Sequence, residues 1–242
     1  MTSWEFPAEG PVDLQVRIPA GSIAVTATPT QTISVRIDSD DSTDSNGAAR
    51  VELSAGELTI TAPDRRRLLG RSPGLDVAVI VPPGSRCGAV TASADITCRG
   101  DLGGLRARTA SGDVTAGRVL GETEVSTSSG DVRLERCVRA WVKSVSGDIW
   151  VGGADGGVDS QSVSGDIHIG GVTVGEITAN TTSGDITITV VPGTGVRLDL
   201  STLSGDASSE LRHDDDDGAD GPADATLTCR SISGDVTLRR AV

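Results

Sequence analysis

Aromatic side chains are almost missing from this 242-residue chain: it has no tyrosine, one phenylalanine and three tryptophans. Rings fill the thick centre of most globular domains, so an interior made here of Val, Ile, Leu, Ala, Ser and Thr suits thin layers instead. Lysine is reduced to Lys143 against 20 arginines, and 34 acidic residues leave a formal charge of -13. That balance argues against binding nucleic acid or an anionic membrane, since both need a basic footprint. With two histidines, four widely spaced cysteines (Cys87, Cys98, Cys137 and Cys229) and no CxxC pair, a zinc site is not expected. No apolar run approaches the ~18 residues of a membrane span, so no membrane insertion is expected. Met1 to Gly10 lacks the basic and apolar segments of a secretory signal, which makes a cytoplasmic location the expectation. No stretch combines helical spacing with caps.

What the chain has is a repeat. Ser-Gly-Asp followed by Val or Ile occurs with its aspartate at Asp113, Asp131, Asp148, Asp166, Asp185 and Asp235. Two variants extend the series: Ala94 replaces glycine before Asp95, and Ala207 replaces the aliphatic residue after Asp206. The aspartates step by 18, 18, 17, 18, 19, 21 and 29 residues. A fixed period on this scale marks a repeat architecture.

Aligned on aspartate, the units form columns. Four residues before it stands a hydroxyl without exception: Thr91, Thr109, Thr127, Ser144, Ser162, Thr181, Thr202 and Ser231. One and three residues after it, pairs such as Ile149/Val151 and Ile167/Ile169 alternate with polar neighbours. Period-two alternation is the mark of a half-buried strand. Each unit therefore reads as strand, Gly-Asp corner, strand and a second glycine-rich corner, seen at Gly103-Gly104, Gly121 and Gly156-Gly157. One such coil cannot bury its inner face alone, whereas coils stacked ~4.8 Å apart supply one another with a partner. The expected fold is all-β, a β-solenoid resembling a parallel β-helix with coils of ~18 residues and its hand left open.

Residues 1-85 lack the tripeptide but still alternate, as in Val12 to Ile18 and Ile33 to Ile37, and are expected to begin or cap the stack. Residues 86-242 form the repeat region. It carries an acidic insert at about 210-225 containing Asp214 to Asp217, Asp220 and Asp224, expected to be an extended loop. Arg65-Arg66-Arg67 reads as a second exposed loop.

An aliphatic strand ending in Pro82-Pro83-Gly84, preceded by a β-rich segment and followed by repeated Ser-Gly-Asp-(Val/Ile) units, resembles a bacterial domain family of unknown function. That family is described as a putative adhesin or β-strand repeat domain. The resemblance spans roughly residues 10 to 242. It implies a β-solenoid and no established catalytic residues.

The aspartate corners, Asp95, Asp113, Asp131, Asp148, Asp166, Asp185, Asp206 and Asp235, bring like charges within ~5 Å of one another, a repulsion of roughly 0.8 kcal/mol per adjacent pair in water. Either calcium offsets it, or each carboxylate accepts backbone N-H groups of its own corner while the glycine takes a positive φ, the structural reading expected here. The hydroxyl column has no recurring acid-base partner, so hydroxyls bonding along the stack are expected in place of nucleophiles. Cys87, Cys98 and Cys229 fall in apolar columns and are expected to be buried thiols. Two residues after aspartate, Arg133, Trp150 and His168 follow one another in successive coils, with Trp141 and Lys143 on another face. The first three form a candidate interaction patch for a protein or a planar ligand.

The function expected is a non-catalytic structural or protein-interaction module without cofactors. Its partner is expected to be a protein, including a second copy joined through the C-terminal edge, because the chain ends seven residues after Asp235. Calcium-dependent surface adhesion is one alternative. A polysaccharide-active β-helix enzyme is the other, disfavoured by the scarcity of rings and the negative charge.

Overall fold

The computed structural model describes residues 1-39, 49-62, 74-211 and 223-241. Arg65 to Arg67 and, in the acidic insert, Asp214 to Asp217 and Asp220 lie outside the described residues. Among the described residues there are strands, turns and bends but no helix, and hence no helix long and apolar enough to cross a membrane. The chain divides into two compact units, Met1–Gly130 and Asp131–Val242.

The first unit holds β1 (Thr2–Pro7), β2 (Asp13–Arg17), β3 (Gly21–Ala27), β4 (Thr32–Ser39), β5 (Arg50–Ser54), β6 (Glu57–Thr61), β7 (Leu75–Val81), β8 (Arg86–Val90), β9 (Asp95–Leu102), β10 (Gly104–Arg108) and β11 (Val114–Ser126). They pair in two parallel rows. In one, β7, β3, β9 and the start of β11 lie side by side; in the other, β6, β2, β8, β10 and the end of β11 do. Within the repeat the register is one period: Val114 lies beside Ile96 and Leu105 beside Thr123. The expected second corner does not interrupt β11, which continues through Gly121 after a register shift between Ala116 and Arg118.

The N-terminal strands enter the stack out of chain order. The coil made by β2 and β3 lies between the coil of β6 and β7 and the coil of β8 and β9. Beyond it the parallel pattern ends, with β4 antiparallel to β7, β1 antiparallel to β4, and β5 antiparallel to β6. These three strands are the part of the unit that departs from an all-parallel helix. They close the row over a buried layer of Ile33, Val35, Leu58 and Ile60.

The second unit holds β12 (Val132–Lys143), β13 (Ile149–Val151), β14 (Val158–Gln161), β15 (Ile167–Val172), β16 (Gly175–Asn180), β17 (Ile186–Val190), β18 (Val196–Ser204), β19 (Ala207–Ser209), β20 (Ala225–Ser233) and β21 (Val236–Arg240). One row runs β12, β13, β15, β17, β21 and β19; the other runs β12, β14, β16, β20 and β18. All these pairings are parallel. Here too a terminal coil is drawn inward: β20 and β21, last in sequence, lie between β16-β17 and β18-β19. Among the described residues, therefore, the C-terminal coil is not the open edge that its place in the sequence leads one to expect. Among the described residues β18 and β19 each pair on one side only.

The core is the set of inward columns, stacked like on like. Val132, Ile149, Ile167, Ile186 and Val236 form one, and Leu134, Val151, Ile169, Ile188 and Leu238 another, all buried. Each such side chain gains about 1.5–3 kcal/mol from leaving water, and the narrow space between the rows explains why aliphatic residues suffice. Thr123 occupies an apolar column beside Leu105, and its buried Oγ1 has no hydrogen-bond partner among the described residues.

Candidate interaction surfaces

The Ser-Gly-Asp corner is a structural device, in a form different from the one expected. The carboxylates of Asp95, Asp131, Asp148, Asp166, Asp185 and Asp235 each serve a neighbouring coil instead of their own corner. Asp113 donates its backbone N-H to Asp95 Oδ1 at 3.0 Å. In the second unit Asp148 donates to Asp131 at 2.9 Å, Asp166 to Asp148, Asp185 to Asp166 and Asp235 to Asp185 at 2.8 Å each, and Asp206 to Asp235 at 2.9 Å. A carboxylate facing an N-H dipole gains a charge-assisted hydrogen bond that offsets repulsion between neighbouring aspartates. No group of three or more His, Cys, Asp or Glu side chains among the described residues is placed to hold a metal ion.

The glycine is needed for close approach more than for its conformation. A Cβ on Gly130 would stand less than 3 Å from the carbonyl oxygen of Gly112, and one on Gly165 equally close to that of Gly147. Backbone cannot yield as a flexible side chain does, so a side chain there would force the coils apart. Positive φ occurs in the regular corners only at Gly205 and Gly234, at 147° and 151°. The hydroxyl column follows the same division. Thr91, Thr109, Thr127, Ser144 and Ser162 accept the N-H of residue 94, 112, 130, 147 and 165 in their own corner at 2.8–3.0 Å. Thr181, Thr202 and Ser231 instead donate to Gly165, Gly234 and Gly184 carbonyls of neighbouring coils. Bonding along the stack, expected throughout, thus belongs mainly to the last coils.

All four cysteines are buried and unpaired by disulfide. The Cys98 thiol is pushed well above its ordinary value by its hydrogen bond with Cys87 and by burial, and burial raises Cys137 and Cys229 to about 12. Thiols held protonated in this way are poor nucleophiles.

The outward column of the second unit does come together. Arg133 pairs with Trp150 and Trp150 with His168 in adjacent parallel strands. The Arg133 guanidinium carbon stands 3.9 Å from the indole centroid. On the other side the His168 ring is stacked at 6.2 Å with 9° between planes. Gly152 makes room for this arrangement: a Cβ there would meet the six-membered ring of the indole. The guanidinium covers the indole closely, while the imidazole lies parallel to it at a longer separation. What the column offers outward is ring edges and nitrogen donors. Burial and the charge of Arg239 lower the His168 pKa, which favours a neutral imidazole. On the other face Lys143 Nζ lies 4.5 Å from the Trp141 ring centroid, with Asp159 and Gln161 beside them in register.

Gly152, Arg239 and a corner ridge of Val145, Val163, Ile232 and Leu203 are not singled out by the repeat motif, although the ridge residues share one column, three before aspartate. All four are exposed, Leu203 at 83%.

A model of the Toastrack family, DUF4097, matches residues 12–239, nearly the whole chain. The chain belongs to the Toastrack family. None of the curated proteins matches it. Solved structures similar to it include a putative adhesin from Bacteroides fragilis, 12% identical, with a TM-score of 0.60 over 99% of this chain and 96% of that one. A putative lipid binding protein from Parabacteroides distasonis is 15% identical, with a TM-score of 0.47 over 100% and 96%. The first of these supports the shared Toastrack fold, which is all-β and solenoid-like. At such identity neither carries function to this chain.

Proposed function

We propose that this Toastrack chain is a non-catalytic, adhesin-like interaction module. In this reading each unit is a β-solenoid of ~18-residue coils that holds rigid outward columns for a protein partner. The reading is carried by the Arg133, Trp150 and His168 column: three ring or cationic groups from successive strands, stacked on one another and set on a glycine floor. Side chains fixed by their neighbours lose little entropy when a partner binds, and Trp and Arg are the residues that most often dominate protein interfaces. The nitrogen donors along the column suit a partner presenting carbonyl or carboxylate groups. Support for a role without chemistry comes from the raised thiols and from an aspartate ladder engaged in backbone hydrogen bonds.

Trp150→Ala and Arg133→Ala test the proposal. Each residue is partly or wholly exposed, so the fold is expected to survive, as judged by circular dichroism. Affinity capture from the native host with the full chain is expected to retain a protein that both variants lose. Capture of the same proteins by all three forms, or hydrolysis of a glycan panel by the unmodified chain, would overturn it.

A further inference from the structure

The end coil of the second unit leaves core positions uncovered. Leu198 lies in the inward column with the buried Val158, Ile177 and Leu227, in register with Leu227, yet it remains 38% exposed. Val196 and Leu200, on the same side of β18, are only half-buried. The Gly195 carbonyl accepts the Ala225 N-H at 3.1 Å. Because main-chain groups alternate in direction along a strand, Val196, Leu198 and Leu200 turn their N-H and C=O groups away from β20, toward the open edge.

That edge is self-complementary. In an antiparallel pairing centred on Leu198, Leu198 faces its own copy and Val196 faces Leu200, all on the inward side. On the outward side Arg197 faces Asp199 and Asp199 faces Arg197. Residues directly opposite in an antiparallel pair share a face, so apolar meets apolar and cation meets anion twice about one two-fold axis. The residues that turn their main-chain groups outward are also those placed opposite one another, which is the condition for exchanging N-H and C=O bonds. Any other strand could use the exposed backbone, but a second copy also covers Leu198 and sets Arg197 against Asp199, which within its own chain is paired with Arg230 at 3.3 Å.

We propose that two copies of this chain associate through β18, antiparallel and centred on Leu198. One strand pair is a small interface, so the dimer is a weak, concentration-dependent one. The balanced charge of Arg197 and Asp199 lets it form despite the net charge of -13 once salt screens the long-range repulsion.

Sedimentation velocity of the full chain in ~0.15 M salt is expected to show the weight-average mass rising toward twofold as concentration increases. Leu198→Lys places two ammonium groups together at the axis and is expected to give a monomer with an unchanged circular dichroism spectrum. Arg197→Glu sets a carboxylate against Asp199 of the other copy and is expected to have the same effect. Adding Asp199→Arg to Arg197→Glu restores opposite charges across the axis and should restore the dimer. Rescue by the exchange supports the pairing and its register. A monomer at every concentration, a dimer indifferent to Leu198→Lys, or no rescue by the exchange overturns it.

Discussion

The end coil of the second unit and the β6-β7 coil of the first are built alike and finished differently. In both units a terminal segment of the chain is drawn one place inward, β2-β3 behind β6-β7 and β20-β21 behind β18-β19. The coil left outside then meets opposite fates. Strands β4, β1 and β5 turn antiparallel over the first, and Leu58 and Ile60 are fully buried. Nothing among the described residues pairs with the outer edge of β18, and most of that strand is exposed. A stack of identical coils has no natural stop: an end is either capped by strands that break the parallel pattern or remains an edge able to pair.

The largest contrast is expected between Leu58→Ala and Leu198→Ala. The first leaves a cavity in a closed layer and is expected to cost about 2–5 kcal/mol in denaturant unfolding. The second trims a side chain already in contact with water and is expected to cost under about 1 kcal/mol under conditions where the chain is monomeric. Equal losses would remove the distinction between a capped and an open end.

A smaller contrast separates two aspartates of the same ladder. Asp235 accepts the N-H of Asp206, so Asp235→Ala strands a donor and is expected to lower stability by about 1 kcal/mol. Asp206 lies in the outermost coil, and Asp206→Ala is expected to cost only a few tenths of that figure. Thermal melting of the two variants side by side reads the difference.

The smallest effect concerns local opening. Cys229 lies on β20, one strand in from the open strand β18, whereas Cys87 and Cys98 lie on β8 and β9, in the first unit behind β2 and β3 and further from an uncovered strand. All are buried, so labelling near pH 8 requires the chain to open locally. Cys229 is expected to react first with a thiol reagent in native buffer, by peptide mapping. Faster labelling of Cys87 or Cys98 would place the weaker end in the first unit.

Much of this was legible before any coordinates. The columns one and three residues after aspartate become the buried stacks, and Arg133, Trp150 and His168 follow from the same alignment because a parallel register carries each column from coil to coil. Neither which coil's N-H each aspartate accepts nor the reason for the glycines was visible that way. A carboxylate reaching its own corner and one reaching the next coil leave the same tripeptide. So do a glycine chosen for positive φ and one chosen because a carbonyl lies where a Cβ would stand. The column also hides how the Trp150 ring is oriented, since that depends on the room left by Gly152.

The repeat by itself determined the strand-and-corner pattern, the inward and outward columns, and the absence of helix among the described residues. It did so because alternation and period are local properties of the chain. Tertiary structure alone decided which coil lies beside which. Asp235 bonds to Asp185 across 50 residues and accepts from Asp206 across 29, an order that no spacing announces. The physical reason is that every unit offers its neighbours nearly the same edge, while the entropy of closing a loop grows only slowly with its length. Chain order is therefore a weak constraint on stacking order.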